Sequence, residues 1–571
     1  MDSAPGLNSI SRSNRGEEIV LLGFVGLFFF ICFMIAGRRS FNFDEFQVLY
    51  ASASLLRGKA YFADRIGTHF PLFNTLMSVV ITSTGYKTSA LLVSRYVIFF
   101  AGVLTCLYTY LIASRSWNRS TGLLAAAILL SSVAFAEKGL EIRHDVFNTL
   151  FNVMAAYYGI RYLAEKKSFQ LVACGLLLGM AIASTQKAVI WSFGIVLGLA
   201  ATLLKDGEEI KDAGKVILAL AALIPIPLVL CLIGLVTSGD ESLRDFFRHA
   251  VLDRLPFLNP HVEDLFPFPH SRWYLLKELV KPNPLFYVSA LAGLVLLALK
   301  KNMAPRGGLV LGGWCVLGLL FYLTMRRPFF QSFLPTLPPL AIMAGGLLMK
   351  ARNASSRFPL ALKAGIVLLC GILLFVWPLR FLVPMMRQDD RLYRQLYNTS
   401  YCLGNLKRGE KVLCFTQNQV YFDPVLPIKN SVCGERFYAY DPACFEQRMI
   451  EEQCRVIIND YRSQLLNREI KKKIQTNYIA LQKGNILIPG FRLEPKTVVE
   501  KRVWIEGYYY SPTLSLEVDG QRVRSKLLRL TQGVHTFLNL RDRPLSLVYF
   551  FETGTSLETV PLQRFSPVPA G

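Results

Sequence analysis

The run Ile19-Val-Leu-Leu-Gly-Phe-Val-Gly-Leu-Phe-Phe-Phe-Ile-Cys-Phe-Met-Ile-Ala-Gly37 is closed by Arg38-Arg39, and Phe41-Asn-Phe-Asp-Glu-Phe46 follows. At about 1.5 Å of rise per residue, such a run can cross a bilayer core about 30 Å thick. A secretory signal has a shorter apolar stretch and ends in small residues at a cleavage site, whereas two arginines follow here. The run therefore reads as a retained first span, with residues 1–18 in the cytoplasm.

Ten further apolar runs lie at 88–113, 121–136, 146–163, 170–184, 188–204, 215–237, 284–299, 308–325, 331–349 and 362–383. The expected fold class is a polytopic α-helical membrane protein of about 11 spans, or 12–13 if shorter runs count. Its membrane region would cover 19–385. Composition agrees: 52% of residues are apolar and only 18% charged, against about a quarter charged in a soluble protein. The net charge of +23 sits largely in short loops between apolar runs. That is the positive-inside pattern, and it does not imply nucleic acid.

With the N-terminus inside, loops 114–119, 165–167, 205–211, 300–306 and 350–352 face the cytoplasm, and all but 205–211 are net basic. The run 70–85 is short and broken by Ser and Thr, so it reads as interfacial or re-entrant. Counting it as a span would put Arg115 and Arg119 outside. Outer loops 38–70, 137–145 and 238–283 then collect His69, His144, His249, His261 and His270, and His535 lies in an outer tail. A transporter would carry its polar residues at mid-membrane; here they crowd one face.

The tail divides by composition. Residues 386–490 alternate short apolar runs at 411–415 and 454–458 with helical stretches, as in an α/β unit. Residues 491–571 carry strand-like runs at 503–510, 514–518, 527–530 and 547–551. Asp519-Gly520 is a hairpin signal and Gln532-Gly533 a second turn, giving a β-sandwich-like module. Cys402, Cys414, Cys433, Cys444 and Cys454 show no C-x-x-C spacing, which argues against zinc and leaves one or two disulfides as the expectation in an oxidising compartment. No cofactor is required by any motif, and a divalent metal ion is left open.

The first outer loop is the richest in chemistry. Phe46, Leu49, Ala53 and Leu56 recur at helical spacing, so an amphipathic helix lying on the membrane and ended by Gly58 is expected. Asp44 would cap it in a box with Gln47. A capping carboxylate is also a rigidly held one, and Glu45 stands beside it. The second loop offers Glu141, Arg143, His144 and Asp145, although a solvated interhelical turn is what most such loops are. Lys187 interrupts an apolar stretch at the outer end of two spans, where it would snorkel or meet a lipid phosphate. Arg326 and Arg327 are basic residues on the outer side, against the usual bias. A carboxylate that deprotonates a hydroxyl, beside cations that receive a leaving phosphate, is the equipment for group transfer from a lipid phosphate.

Four segments carry a family resemblance. They are Asp44-Glu45 with Leu56-Arg-Gly-Lys-Ala-Tyr61 and Phe70-Pro71; Glu141-Ile-Arg-His-Asp145; the Gly-rich stretch from Gly175 to Lys187; and Phe330-Gln-Ser-Phe-Leu-Pro-Thr-Leu-Pro338. In order and spacing they resemble the GT-C membrane glycosyltransferases, among them the dolichyl- or polyprenyl-phosphate-mannose protein mannosyltransferases and the aminoarabinose transferases. Phe330 and Phe333 stand where that family often has Tyr.

The resemblance implies an inverting hexosyl- or pentosyltransferase in the cytoplasmic (inner) membrane of a bacterium or archaeon. It would use a polyprenyl-phosphate sugar donor and a glycan, lipid or protein acceptor. Asp44 would be the base and Glu45 would position acceptor or metal. Arg143 and Lys187, with Arg326 and Arg327, would hold the donor phosphate, leaving His69, Glu141, His144 and Asp145 as further site candidates. The alternatives are a flippase of lipid-linked sugars and a non-catalytic protein displaying a glycan-binding module.

Overall fold

The computed structural model describes residues 15–61, 69–207, 209–238, 272–299, 307–324, 329–354, 359–387, 389–407, 409–414, 418–425, 441–460, 463, 466–481 and 485–551. Arg326, Arg327, His249, His261, His270, Cys433 and most of loop 238–283 lie outside these residues.

Each of the eleven apolar runs is helical. The first helices are α1 (Arg15–Arg38), α2 (Phe43–Leu56), α3 (Leu72–Thr84), α4 (Ser89–Ser116), α5 (Arg119–Ser131), α6 (Val133–Lys138), α7 (His144–Glu165), α8 (Ser168–Ser184) and α9 (Ala188–Lys205). Among the described residues, six helices are long and apolar enough to cross a membrane, or seven if the pair Trp273–Val280 and Pro284–Leu299, bent by 105°, is one span. Others, such as α5 and α8, are apolar but shorter, below the roughly 20 residues a crossing needs. Run 121–136 is broken at Ser132, where Asn283 caps both sides: its Oδ1 accepts from Val133 N at 2.9 Å and its Nδ2 donates to Ser131 O at 3.1 Å.

The helix expected to lie on the membrane by one apolar stripe is covered by the rest of the chain over most of its surface. Ten residues of α2 are buried, from Phe43 through Ser54. The small residues Ala51, Ser52, Ala53 and Ser54 let it pack closely on more than its apolar stripe. Its cap also differs from expectation. Asn42, not Asp44, is the N-cap, accepting from Glu45 N at 3.0 Å while the Glu45 side chain accepts from Asn42 N at 3.0 Å. Asp44 is thereby freed from capping. The run 70–85 forms α3, a 13-residue helix ended by Gly85 in the left-handed region.

Among the described residues the tail carries twelve strands: β1 (Lys411–Cys414), β2 (Asp423–Pro424), β3 (Val456–Ile458), β4 (Tyr478–Ala480), β5 (Ile486–Leu493), β6 (Val498–Val503), β7 (Gly507–Tyr510), β8 (Leu516–Val518), β9 (Gln521–Arg522), β10 (Leu527–Leu530), β11 (Gly533–Asn539) and β12 (Leu545–Phe550). An eight-stranded sheet runs β10-β7-β12-β5-β3-β1-β2 with β4 also on β5, and a four-stranded sheet runs β6-β11-β8-β9. A boundary at residue 490 falls inside β5. Leu487 of that strand pairs with Ile457 of the α/β part, and Gly490 pairs with Val548. The run 503–510 is two strands, because the chain leaves the smaller sheet after Val503 and enters the larger at Gly507. Asp519 and Gly520 both take positive φ between β8 and β9, as a type I′ turn requires. Phe491 and Phe537 meet edge to face at 4.7 Å between the sheets. No disulfide forms among the described residues: Cys402, Cys414 and Cys454 are buried and Cys444 is exposed, all as free thiols. Buried Cys packs as a small hydrophobe.

Candidate active site

Two loops and two helix ends converge at the end of the bundle where α1 finishes. Only Arg39 to Asn42 separate α1 from α2, so Asp44 is held close to the top of the first helix. Its carboxylate receives Arg143 Nη1 at 2.6 Å and remains 43% exposed. Arg143 also bonds Glu141, which is buried and further held by Arg39 at 2.5 Å and Lys138 at 3.1 Å. Burial alone would raise the Glu141 carboxyl, but Arg143, Arg39 and Lys138 outweigh it and hold it well below the ordinary range. Burial would likewise weaken the Arg143 charge, and Glu141 with Asp44 keeps it protonated.

Glu45 does not face the solvent at all. Its side chain is 0% exposed and receives a two-point contact from Arg95, Nε at 3.0 Å and Nη2 at 2.7 Å. It also accepts from Ile142 N at 3.1 Å and Asn42 N at 3.0 Å. The expectation that Glu45 touches acceptor or metal meets a geometric obstacle: its oxygens are committed to protein donors. What Glu45 does is tie α2 to α4 and to the loop that presents Arg143. Arg95 escaped the sequence reading because it lies within an apolar run, although an intramembrane arginine is a signal that a buried carboxylate is near.

A second group lies beside the first. His144 Nε2 and Tyr61 Oη both reach Asn74 Oδ1 at 2.8 Å, while Asn74 Nδ2 donates to Val48 O and Ser52 Oγ. An amide oxygen only accepts, so His144 carries its proton on Nε2. Burial, then the charges of Lys187 and Arg143, lower the His144 pKa to about 3, and the ring is neutral. The His69 ring lies 4.4 Å from that of His144, and His69 Nδ1 stands 3.2 Å from both Thr185 Oγ1 and Gln186 Oε1. Lys187, at the start of α9, is half-buried and has no carboxylate partner among the described residues. Asp145 is buried with one oxygen, Oδ1, lacking a hydrogen-bond partner. Asn74, like Arg95, was missed: a lone Asn in the 70–85 run carries no pattern.

Asp44, Arg143, Glu141, His144, His69 and Lys187 are thus brought together from positions up to 143 residues apart. Arg143 is compensated by two carboxylates, whereas Lys187 has no carboxylate partner among the described residues. Among the described residues no group of three or more His, Cys, Asp or Glu could hold a metal ion.

Residues 71–231 match the dolichyl-phosphate-mannose-protein mannosyltransferase family. No curated protein matches the chain in sequence. The structure is similar to ArnT from Cupriavidus metallidurans bound to undecaprenyl phosphate, with a TM-score of 0.55 at 14% identity, covering 95% of this chain and 100% of that one. It is also similar to the same protein in the apo state, with a TM-score of 0.51 at 12% identity over 84% of this chain and 98% of that one. A third likeness is to the Archaeoglobus fulgidus oligosaccharyltransferase tethered to an acceptor peptide, with a TM-score of 0.51 at 12% identity over 81% of this chain and 73% of that one. At these identities the likeness is one of fold. The chain is a membrane protein of the GT-C fold, the architecture of these glycosyltransferases.

Proposed function

We propose that the chain transfers a sugar, hexose or pentose, from a polyprenyl-phosphate donor to a hydroxyl of a glycan, lipid or protein, with inversion. The eleven apolar runs are taken as crossings of the cytoplasmic membrane, and the site and tail as facing outward. The observation that carries the reading is the pairing of a half-exposed carboxylate, Asp44, with a buried guanidinium, Arg143, near a cation, Lys187, that has no carboxylate partner among the described residues. ArnT, similar in fold, binds undecaprenyl phosphate.

The chemistry follows from the charges. Asp44 accepts the proton of the acceptor hydroxyl as its oxygen attacks the anomeric carbon. The bond from that carbon to the phosphate oxygen breaks on the opposite side, and the polyprenyl phosphate leaves with the electron pair. Lys187 meets the charge that develops there, with His69 and Thr185 beside it. Arg143 orients Asp44 rather than the phosphate, a change from its expected role.

Asp44→Asn keeps the shape and removes the base. In proteoliposomes, transfer of labelled sugar from a polyprenyl-phosphate donor should fall by at least about 10²-fold, with thermal stability little changed. Full activity in this variant overturns the assignment.

A further inference from the structure

The linker between α1 and α2 has an unusual set of partners. Four successive carbonyls at the end of α1 and beyond it are each taken by a donor from elsewhere in the chain. Asp389 N donates to Arg38 O at 3.3 Å, Arg95 Nη1 donates to Arg39 O, Arg95 Nη2 donates to Ser40 O at 3.2 Å, and Gln395 Nε2 donates to Phe41 O at 2.8 Å. The Gln395 amide also closes the other half of that residue, its Oε1 accepting from Phe41 N at 2.8 Å. Two donors thus come from α4 in the membrane region and two from the segment that leads into the tail. Phe41 itself is stacked under the Arg95 guanidinium, 3.8 Å from its ring centre.

The far end of α2 is gripped from the same side. Asp423 of β2 receives Lys59 at 2.7 Å and Arg57 at 3.1 Å. The two grips stand about 20 Å apart along a helix of this length. Tyr421 adds a hydrogen bond to Lys87 O at 2.9 Å. Phe41 precedes the N-cap by one residue and Asp44 by three, so a shift at Phe41 is transmitted to Asp44 with little loss.

We propose that Gln395 is a positioning residue for the transfer reaction, fixing the Phe41 peptide and through it the Asp44 carboxylate, so that the tail helps set the catalytic geometry. The proposal rests on Asp44 being the base. Gln395 touches no reacting atom, and its amide does for Phe41 what a neighbouring strand would do.

The test uses the full chain in lipid nanodiscs, with Gln395→Met, which removes both hydrogen bonds at nearly constant volume, and Gln395→Glu, which keeps the acceptor. Hydrogen exchange of the 38–46 backbone is read together with kcat and KM for undecaprenyl-phosphate mannose or arabinose, whichever the wild type turns over. Gln395→Met should speed exchange at 41–45 but not in α9, and lower kcat about 10- to 100-fold with donor KM changed less than twofold. Gln395→Glu should fall between it and the wild type. Unchanged exchange in 41–45 overturns the clamp, and faster exchange with unchanged kcat overturns the positioning role. An active Asp44→Asn variant would instead sink the base assignment, and the exchange result would stand apart from it.

Discussion

The two ends of the helix bundle both carry ion pairs, and they differ in kind. At the end where α1 starts, Arg115 pairs with Glu165, Arg119 with Glu18 and Arg352 with Glu17. These side chains are partly solvated; Arg115 is 45% exposed. At the other end Glu45 and Arg95 have essentially no exposure, and Glu141 shares three cations. Exposed pairs contribute little and are screened by salt. Buried pairs carry a desolvation cost that only good geometry offsets, so their presence is weak evidence for stability. The solvated pairs therefore tell little about what holds the fold. The buried end reflects a need to hold particular atoms in place.

The largest way to break this contrast is Arg95→Ala, which leaves the Glu45 carboxylate buried without its partner. A loss of about 3–5 kcal/mol is expected, seen as a large fall in melting temperature in detergent. Lysine at 95 should not restore it, because one ammonium cannot make the two-point contact. If Arg95→Ala melts like the wild type, the buried pair is not what ties α2 to α4.

A smaller effect sharpens the same contrast through pH. His144 is neutral when folded, with its pKa lowered from 6.5 to about 3. Between those values the unfolded chain binds the proton and the folded chain does not, so stability rises with pH across this window and is lost as pH falls. The slope from this group is at most about 1.4 kcal/mol per pH unit. His144→Asn should flatten the melting temperature between pH 4 and 6.5 relative to wild type. An unchanged slope would mean that His144 is not the buried titrating group.

The smallest effect belongs to the exposed end. Arg115→Ala should move the melting temperature by no more than about 2 °C, and high salt should erase even that. A loss comparable to that of Arg95→Ala would cancel the distinction between the two ends.

Much of the fold could be read along the chain because it is written locally. Apolar runs mark helices, and Asp519-Gly520 marks its turn. Asp44 stands out along the chain as one of two adjacent carboxylates just beyond the first span. The cap was misread because two boxes overlap, Asn42 with Glu45 and Asp44 with Gln47. The first prevails since Arg95, 50 residues on, fixes Glu45 where it can close the box. Strand partners were equally invisible. Nothing near residue 490 announces that β5 joins β12 to β3, because pairing over such separations has no local pattern. Several residues singled out by type, Asp44, Arg143, His144 and Lys187 among them, lie near one another, but their partnerships, Arg143 with Asp44 above all, needed the fold.

The sheet order has a consequence for the sequence of events during synthesis. β12 lies between β7 and β5, so the larger sheet cannot close until residues 545–550 have emerged. Asp423 sits on a strand of that sheet and Gln395 on the helix that feeds it, 354 residues after Phe41. The helix bearing Asp44 is made almost first and locked almost last. A nascent chain stalled before residue 545 would hold Asp44 in an already inserted region while the larger sheet, which carries Asp423, still lacked β12.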